Sequence, residues 1–163
     1  MKNVSQIRQM IIDRYLDQDF VIDRTGAKTI EIIGESFIVD EDWVVRKANK
    51  DYIDRELTWY ISKSLYVNDI PGETPQIWKD IASKDGKINS NYGWCIFSEE
   101  NGSQYNNVYS ELLKNPNSRR ATMIYNRPSM HTDFCADGMN DFMCTYANTF
   151  MIRDGKLISH YIM

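Results

Sequence analysis

An Asp-Gly pair near the end of the chain is the sequence feature that most constrains the fold. Asp154 and Gly155 separate two runs, 142–152 and 156–163, that are rich in β-branched and aromatic residues. A two-residue type I′ turn needs positive φ at both central positions, and Asp-Gly is one of the pairs that adopt it readily. The two runs are therefore predicted to form an antiparallel hairpin. A further apolar run, 121–125, is predicted to be a buried strand.

Helical spacing of apolar residues predicts three longer helices before the hairpin. The first covers residues 3–17. The second is capped by Asn49 or Asp51, and it is marked by Ile53, Leu57, Tyr60, Ile61 and Ser64. The third carries Tyr105, Val108 and Leu112 and ends at Asn115-Pro116, because proline cannot continue a helix. The remaining predicted segments are strands over 28–33 and 36–39, a short helix over 76–82 and a loop over 127–140. This mixed order predicts one α+β domain over 1–163.

The composition is that of one folded domain rather than a disordered tail. The chain has 163 residues, of which 42% are hydrophobic and 26% are charged, and that balance supports a packed core. No apolar run approaches the roughly 18 residues of a membrane span, and early charges argue against a signal peptide. A cytoplasmic protein is therefore expected. The odd cysteine count without a CxxC pair predicts free thiols at Cys95, Cys135 and Cys144.

The net charge argues against a general attraction to polyanions. The chain has 19 Lys and Arg against 23 Asp and Glu, which gives a net charge of −4. Neither nucleic acid nor an anionic membrane is attracted by such an overall field, so direct binding to DNA or membranes is not expected. Any anionic ligand must be held by a local group of arginines or backbone amides.

Three features could carry chemistry, and each has an ordinary structural alternative. Cys144 is either a packed small residue or a nucleophile activated by nearby cations. The pair Arg119-Arg120 is either solvated or positioned for an anion. Glu56 lies at the edge of a helix face, as a rim residue or as an acid or base. Spacing alone does not decide among these alternatives.

One group of potential metal ligands lies within the predicted loop. His131, Asp133 and Cys135 are close in sequence, but a His and a Cys separated by three residues do not form a convincing zinc pattern. No metal site is therefore expected. Cys95 and Cys135 are interpreted as passive thiols.

Six segments occur in an order that resembles the thymidylate synthase family. They are Asp23-Arg24-Thr25-Gly26, Glu56-Leu57-Thr58-Trp59-Tyr60, Ile77-Trp78, Asn91-Tyr92-Gly93, Asn115-Pro116-Asn117-Ser118-Arg119-Arg120, and Cys144 followed by Gly155-Lys156-Leu157. The resemblance covers the chain from about Asp23 to Met163. It implies a thymidylate synthase-like mixed sheet packed against helices, ending after the nucleophile hairpin.

Within the family, the chain resembles the branch of phage deoxycytidylate (dCMP) hydroxymethylases. Synthases usually have Pro-Cys-His at the nucleophile, whereas this chain has Met143-Cys144-Thr145. A tryptophan of the synthases is Ile81 here. The resemblance implies hydroxymethylation of dCMP for the synthesis of phage DNA with modified cytosine. Thymidylate synthase activity on dUMP is the alternative within the family.

The resemblance also implies the role of each site residue. Cys144 would add as a thiolate to carbon 6 of the pyrimidine, while Glu56 and Tyr92 would move protons and order water. Trp78 would flank the co-substrate 5,10-methylenetetrahydrofolate. The phosphate would be bound by three arginines, Arg24, Arg119 and Arg120. The last two would reach into the neighbouring subunit of a homodimer.

The family continues for roughly another third of its length beyond the region that matches. That part contains the R-S-x-D motif and the residue that distinguishes cytosine from uracil. The apolar final strand predicts that further sequence, or another chain, covers this edge. A third hypothesis follows, in which the chain is an inactive fragment, or half of a split enzyme, that binds a complementary chain.

Overall fold

The computed structural model describes residues 1–133 and 136–163. The described chain forms two compact units, Met1–Lys50 and Asp51–Met163. None of the helices in those two ranges is long and apolar enough to cross a membrane.

The first unit contains one helix and two small pairs of strands. Helix α1 (Val4–Leu16) is closed at its start by a capping box, in which Asn3 and Gln6 exchange side-chain and backbone hydrogen bonds of 3.0 Å. Strand β1 (Lys2–Asn3) pairs in parallel with β4 (Phe37–Ile38).

The strand predicted over 28–33 is shorter in the structure. Strand β2 (Val21–Ile22) pairs antiparallel with β3 (Lys28–Thr29). The ladder stops at Thr29 because β2 offers only two residues to pair with, so β-branched sequence alone does not extend it.

The second unit contains a three-stranded antiparallel sheet and five helices, with short 3₁₀ turns at Val67–Asp69 and Ala136–Gly138. The helices are α2 (Lys50–Ser62, whose first residue closes the first unit), α3 (Gln76–Ile81), α4 (Tyr92–Phe97), α5 (Gln104–Lys114) and α6 (Met130–Asp133). The sheet order is β5 (Thr122–Ile124), β6 (Ala147–Arg153) and β7 (Lys156–Ile162).

The predicted hairpin is confirmed at its turn and shortened at its start. Asp154 and Gly155 have φ values of 51° and 70°, which are the positive angles of a type I′ turn. Strand β6 begins at Ala147 rather than at residue 142. The preceding segment bonds elsewhere, since the Thr145 amide donates to the Tyr92 hydroxyl at 3.1 Å.

The region predicted as a loop over 127–140 contains ordered turns. Helix α6 and the 3₁₀ turn at Ala136–Gly138 lie within it. Met130 is fully buried in the core, and backbone groups near a buried side chain must find partners within the chain. A short helix supplies them.

Two groups of buried residues form the core of the second unit. One lies against the sheet and contains Cys95, Val108, Ala121, Met123, Tyr125, Met130 and Met143. The other lies beneath α2 and contains Trp59, Val67, Ile70 and Ile88.

The face that α2 buries differs from the predicted one. Ile53, Leu57 and Ile61 are exposed, whereas Trp59 is completely buried. The Trp59 indole N–H donates to the Tyr66 carbonyl at 3.1 Å. An indole buries more apolar area than a leucine, and its one polar group is satisfied here. The helix is therefore oriented by Trp59 rather than by the aliphatic positions.

Helix α4 is absent from the sequence predictions and lies against α2. Its N-cap Asn91 accepts a hydrogen bond from the Trp94 amide at 2.8 Å and donates to the Ser64 carbonyl at 2.7 Å. A Cβ atom at Gly93 would lie 1.7 Å from the backbone oxygen of Tyr60. Only glycine permits this approach, which brings the first turn of α4 to the backbone of α2.

Replacing Gly93 with alanine is expected to lower the free energy of unfolding by at least about 3 kcal/mol, because backbone rather than a flexible side chain blocks the added methyl. For a chain of this size, that is a decrease in Tm of about 6–12 °C, measurable by calorimetry. Gly102→Ala is the control. Gly102 has φ +82° and open space around its Cβ position, so only backbone strain of about 1 kcal/mol is expected. Equal losses in the two variants would contradict the close approach.

Candidate active site

Glu56 is the centre of a hydrogen-bonded group on α2. The Tyr52 hydroxyl, one helical turn earlier, donates to Glu56 Oε1 at 2.8 Å. The Trp78 indole N–H donates to the same Tyr52 hydroxyl at 2.7 Å. Tyr60 lies one turn after Glu56, close enough for the carboxylate charge to act on its hydroxyl. The spacing of four residues places Tyr52, Glu56 and Tyr60 on one face of α2.

Both tyrosines keep their hydroxyl protons. Burial raises the pKa of Tyr60, and the negative charge of Glu56 raises it further. Burial likewise raises the pKa of Tyr52, with the bond from Trp78 opposing this and the bond to Glu56 adding to it. The hydroxyl protons therefore stay on the two tyrosines around neutral pH, and Glu56 accepts a hydrogen bond from Tyr52.

Tyr92, the first residue of α4, links this group to the segment that carries Cys144. Its ring packs edge-on against Tyr60, with centroids 5.8 Å apart and an interplanar angle of 74°. On its other side it packs against Tyr125, with centroids 5.5 Å apart. The Tyr92 hydroxyl accepts a hydrogen bond from the Thr145 amide at 3.1 Å. A continuous set of contacts therefore runs from Trp78 to the residue beside Cys144.

Cys144 lies in a bend before β6 and is exposed. Its neighbour Met143 is buried in the core. The other described cysteine, Cys95, is buried, and burial raises the pKa of its thiol while Arg127 at 3.3 Å partly opposes the rise. Exposure contradicts the interpretation of Cys144 as a packed residue, and its role as a nucleophile stays a prediction.

Arg119 and Arg120 follow α5 and are exposed. Arg120 pairs with Glu111 at 2.9 Å, while the buried Ser118 donates to the same carboxylate at 2.6 Å. The Ser118 hydrogen bond, followed by Arg120, lowers the pKa of Glu111. The Arg119 guanidinium makes neither a hydrogen bond nor an ion pair with any residue in 1–133 and 136–163. Neither arginine belongs to the contacts that run from Trp78 to Thr145.

Arg24 lies in the first unit, in the turn between β2 and β3. The Asp23 carboxylate closes this turn by accepting from the Thr25 hydroxyl at 2.7 Å and from the Thr25 and Ala27 amides at 2.8 and 3.0 Å. These bonds, led by that from the Thr25 side chain, lower the pKa of Asp23. The turn therefore holds the backbone of Arg24 in a defined conformation.

Sequence reasoning missed Tyr52 and the effect of Glu56 on the pKa of Tyr60. The four-residue spacing of Tyr52, Glu56 and Tyr60 was the available signal. In the part of the chain that is described, no three of His, Cys, Asp and Glu are grouped so that they could hold a metal ion. Cys135, in the metal pattern that was rejected above, lies outside the described residues.

Comparisons with known proteins agree on one family. Residues 6–163 match the family model described as thymidylate synthase. The deoxycytidylate 5-hydroxymethyltransferase of Enterobacteria phage T4 is 55% identical over 154 residues, which is 94% of this chain and 63% of that protein. A thymidylate synthase of Francisella tularensis subsp. holarctica is 28% identical over 120 residues, which is 68% of this chain and 44% of that protein.

A solved structure confirms the predicted fold class. The crystal structure of thymidylate synthase from T4 phage superposes with a TM-score of 0.62 at 21% identity, covering 96% of this chain and 60% of that one. The α+β architecture is therefore that of these enzymes. The chain spans 63% of the length of the T4 hydroxymethyltransferase.

Proposed function

Because the chain belongs to the thymidylate synthase family, we propose that it carries the nucleophile and the proton-transfer group of a dCMP 5-hydroxymethyltransferase. The observation that carries this proposal is the 55% identity to the T4 enzyme of that name, against 28% to a thymidylate synthase. The contacts of Tyr92 with Tyr60, on the helix of Glu56, and with Thr145, beside Cys144, support it. The reducing conditions of a cytoplasm, where an infecting phage would express the enzyme, keep such a thiol free.

Cys144 supplies the covalent step of the proposed reaction. Its thiolate forms a bond to carbon 6 of the pyrimidine, and the electron pair of the 5,6 double bond moves to carbon 5. Carbon 5 thereby becomes able to bond to the one-carbon unit. It then loses its proton as the bond between that unit and the folate nitrogen breaks, which releases tetrahydrofolate and leaves an exocyclic methylene. Water adds to this methylene, and expulsion of the thiolate from carbon 6 restores the double bond. An exposed cysteine beside a fixed backbone amide is suited to this role.

Glu56 handles protons and water in the proposal. The Glu56 carboxylate accepts a hydrogen bond from the protonated Tyr52 hydroxyl, and this bond restrains its orientation, as general acid–base catalysis requires. Glu56 would take up and return a proton at the base. It would also orient the water whose oxygen becomes the hydroxyl of the product. Tyr92 would hold the Cys144 segment in a fixed position relative to Glu56, because it contacts both Thr145 and Tyr60.

Trp78 suits one wall of the co-substrate site. When bound, 5,10-methylenetetrahydrofolate supplies the one-carbon unit. The Trp78 ring is only half-buried, and its indole N–H is already satisfied by Tyr52. Its exposed surface is therefore available to an aromatic ligand.

Local cations must bind the substrate phosphate, because the chain is acidic overall. Arg119 has a guanidinium that is free among the described residues. Arg120 would bind the phosphate either by leaving its ion pair with Glu111 or while keeping that pair. We assign phosphate binding to these two residues and Arg24. A homodimer in which Arg119 and Arg120 serve the neighbouring subunit is part of the proposal.

Tritium release from 5-labelled nucleotides tests the proposal. In the presence of methylenetetrahydrofolate, dCMP is expected to release tritium at least about tenfold faster than dUMP, because a site built to hydrogen-bond one base discriminates against another. The assay is run on the chain alone and on a fusion that adds the C-terminal third of the T4 relative.

Two other outcomes correspond to the alternative functions. Preferred turnover of dUMP with formation of dihydrofolate would indicate a thymidylate synthase. The fragment hypothesis would be supported if neither protein released tritium while the chain bound the separately made C-terminal third in a sizing experiment.

A further inference from the structure

A buried carboxylate lies three residues before Cys144. Asp141 is 3% exposed. Its Oδ2 accepts from the backbone amides of Asn89 and Ser90 at 2.6 and 2.7 Å, and its Oδ1 accepts from the Ser90 hydroxyl at 2.6 Å. The function proposed above gives this carboxylate no role, and the sequence analysis assigned it none.

The Cys144 segment is attached at its other end to the same part of the chain. Asn89 and Ser90 immediately precede Asn91, the N-cap of α4, and Tyr92, its first residue. Thr145 is bonded to Tyr92. Residues 141–145 are therefore held at both ends by residues 89–92, with Cys144 between the two attachments.

The partner segment is itself rigidly placed. Asn91 is completely buried and bonds to the carbonyls of Trp59 and Ser64 at the end of α2. Met143 adds a buried anchor within the Cys144 segment. Cys144 lies in a bend, outside the strand ladder that begins at Ala147. The hydrogen bonds of Asp141 and Thr145 and the packing of Met143 therefore restrain its backbone.

We propose that Asp141 is a positioning residue for Cys144, which acts by fixing the backbone of the nucleophile segment against the start of α4. The inference rests on the proposed function for the role of Cys144. An attacking sulfur must be held close to its target carbon, and a small displacement of the attacking group costs much of the rate. Asp141 touches neither substrate nor the reacting atoms, and it acts through the backbone.

The bonding pattern also predicts which replacement preserves the role. An asparagine can direct its carbonyl oxygen to the Asn89 and Ser90 amides and donate its NH₂ group to the Ser90 hydroxyl. An alanine leaves all three donors unsatisfied. Asp141→Asn therefore separates the hydrogen-bonding role from any effect of the negative charge.

Two measurements test the proposal, using the chain and the fusion described above. In Asp141→Ala, hydrogen exchange of the Thr145 amide is expected to accelerate at least about tenfold, because release of one attachment loosens the other. The kcat for tritium release is expected to fall about 10- to 100-fold, with KM for dCMP within about threefold of wild type. Asp141→Asn is expected to stay within about threefold in all three quantities.

Asp80 is exposed and lies on α3, so Asp80→Ala serves as the matched control. It should change neither the exchange rate nor the two kinetic constants. The proposal would be overturned if hydrogen exchange and kcat were unchanged in Asp141→Ala, or if Asp141→Asn and Asp141→Ala lost the same fraction of kcat.

If Asp141→Ala does not fold, Ser90→Ala tests the proposal instead. It removes one donor to Asp141 and should accelerate hydrogen exchange of the Thr145 amide about threefold. No acceleration would overturn the proposal. Absence of tritium release from the wild-type proteins would refute the proposed function. Hydrogen exchange of the Thr145 amide would still show whether Asp141 fixes the Cys144 segment.

Discussion

Cys144→Ser is expected to lower tritium release from 5-labelled dCMP by at least about 1,000-fold, because a serine hydroxyl is scarcely ionised at neutral pH and cannot replace the thiolate at carbon 6. The loss should appear in kcat, since Cys144 contributes to the covalent step rather than to phosphate binding. Mass spectrometry of the denatured protein, after incubation with a 5-fluoro nucleotide and methylenetetrahydrofolate, checks the same step. The wild-type protein should carry a covalent adduct that the variant lacks.

The fold should survive this substitution. Cys144 is exposed, so the free energy of unfolding is expected to change by no more than about 0.5 kcal/mol. Cys95→Ala is the matched control. Cys95 is buried, and its removal should reduce stability while leaving the activity of the folded protein intact. An active Cys144→Ser protein would contradict the proposed mechanism.

Glu56→Gln is expected to lower kcat by about 100- to 10,000-fold, the range contributed by a positioned acid or base. Glutamine cannot take up or return a proton. It also offers one carbonyl oxygen where the carboxylate offers two, so it disturbs the bond from Tyr52. Substrate binding should change little, and kcat and KM measured for dCMP distinguish the two effects.

Asp54→Asn provides a control on the same helix. Asp54 is exposed and lies outside the group formed by Glu56 and its tyrosines. Its replacement should leave both kinetic constants unchanged. If Glu56→Gln retained the wild-type kcat, or if Asp54→Asn reduced it equally, Glu56 would not be the proton-transfer group.

The elements that the sequence predicted well are those with strong local signals. The turn at Asp154-Gly155 was predictable because few residue pairs accept two successive positive φ angles. The end of α5 was predictable because Pro116 cannot continue a helix. In both cases a short segment determines its own conformation, whatever surrounds it.

The features that escaped prediction depend on distant contacts. Helix α4 has only six residues and contains Gly93, so its intrinsic propensity is low. It exists because Asn91 bonds to the end of α2 and because Gly93 fits against the Tyr60 backbone. The burial of Trp59 in place of Leu57 likewise reflects the partners available to the indole. Helical periodicity cannot report such partners.

The site also separates into a local part and a distant part along the chain. Tyr52, Glu56 and Tyr60 lie on successive turns of one helix, and such contacts form as fast as the helix, on the order of a microsecond. The bonds from Asn89 to Asp141 and from Thr145 to Tyr92 span 52 and 53 residues. Closing loops of that length costs entropy before any contact compensates for it. During synthesis on the ribosome, Tyr52, Glu56 and Tyr60 are therefore able to meet on one helix well before Cys144 has been added to the chain.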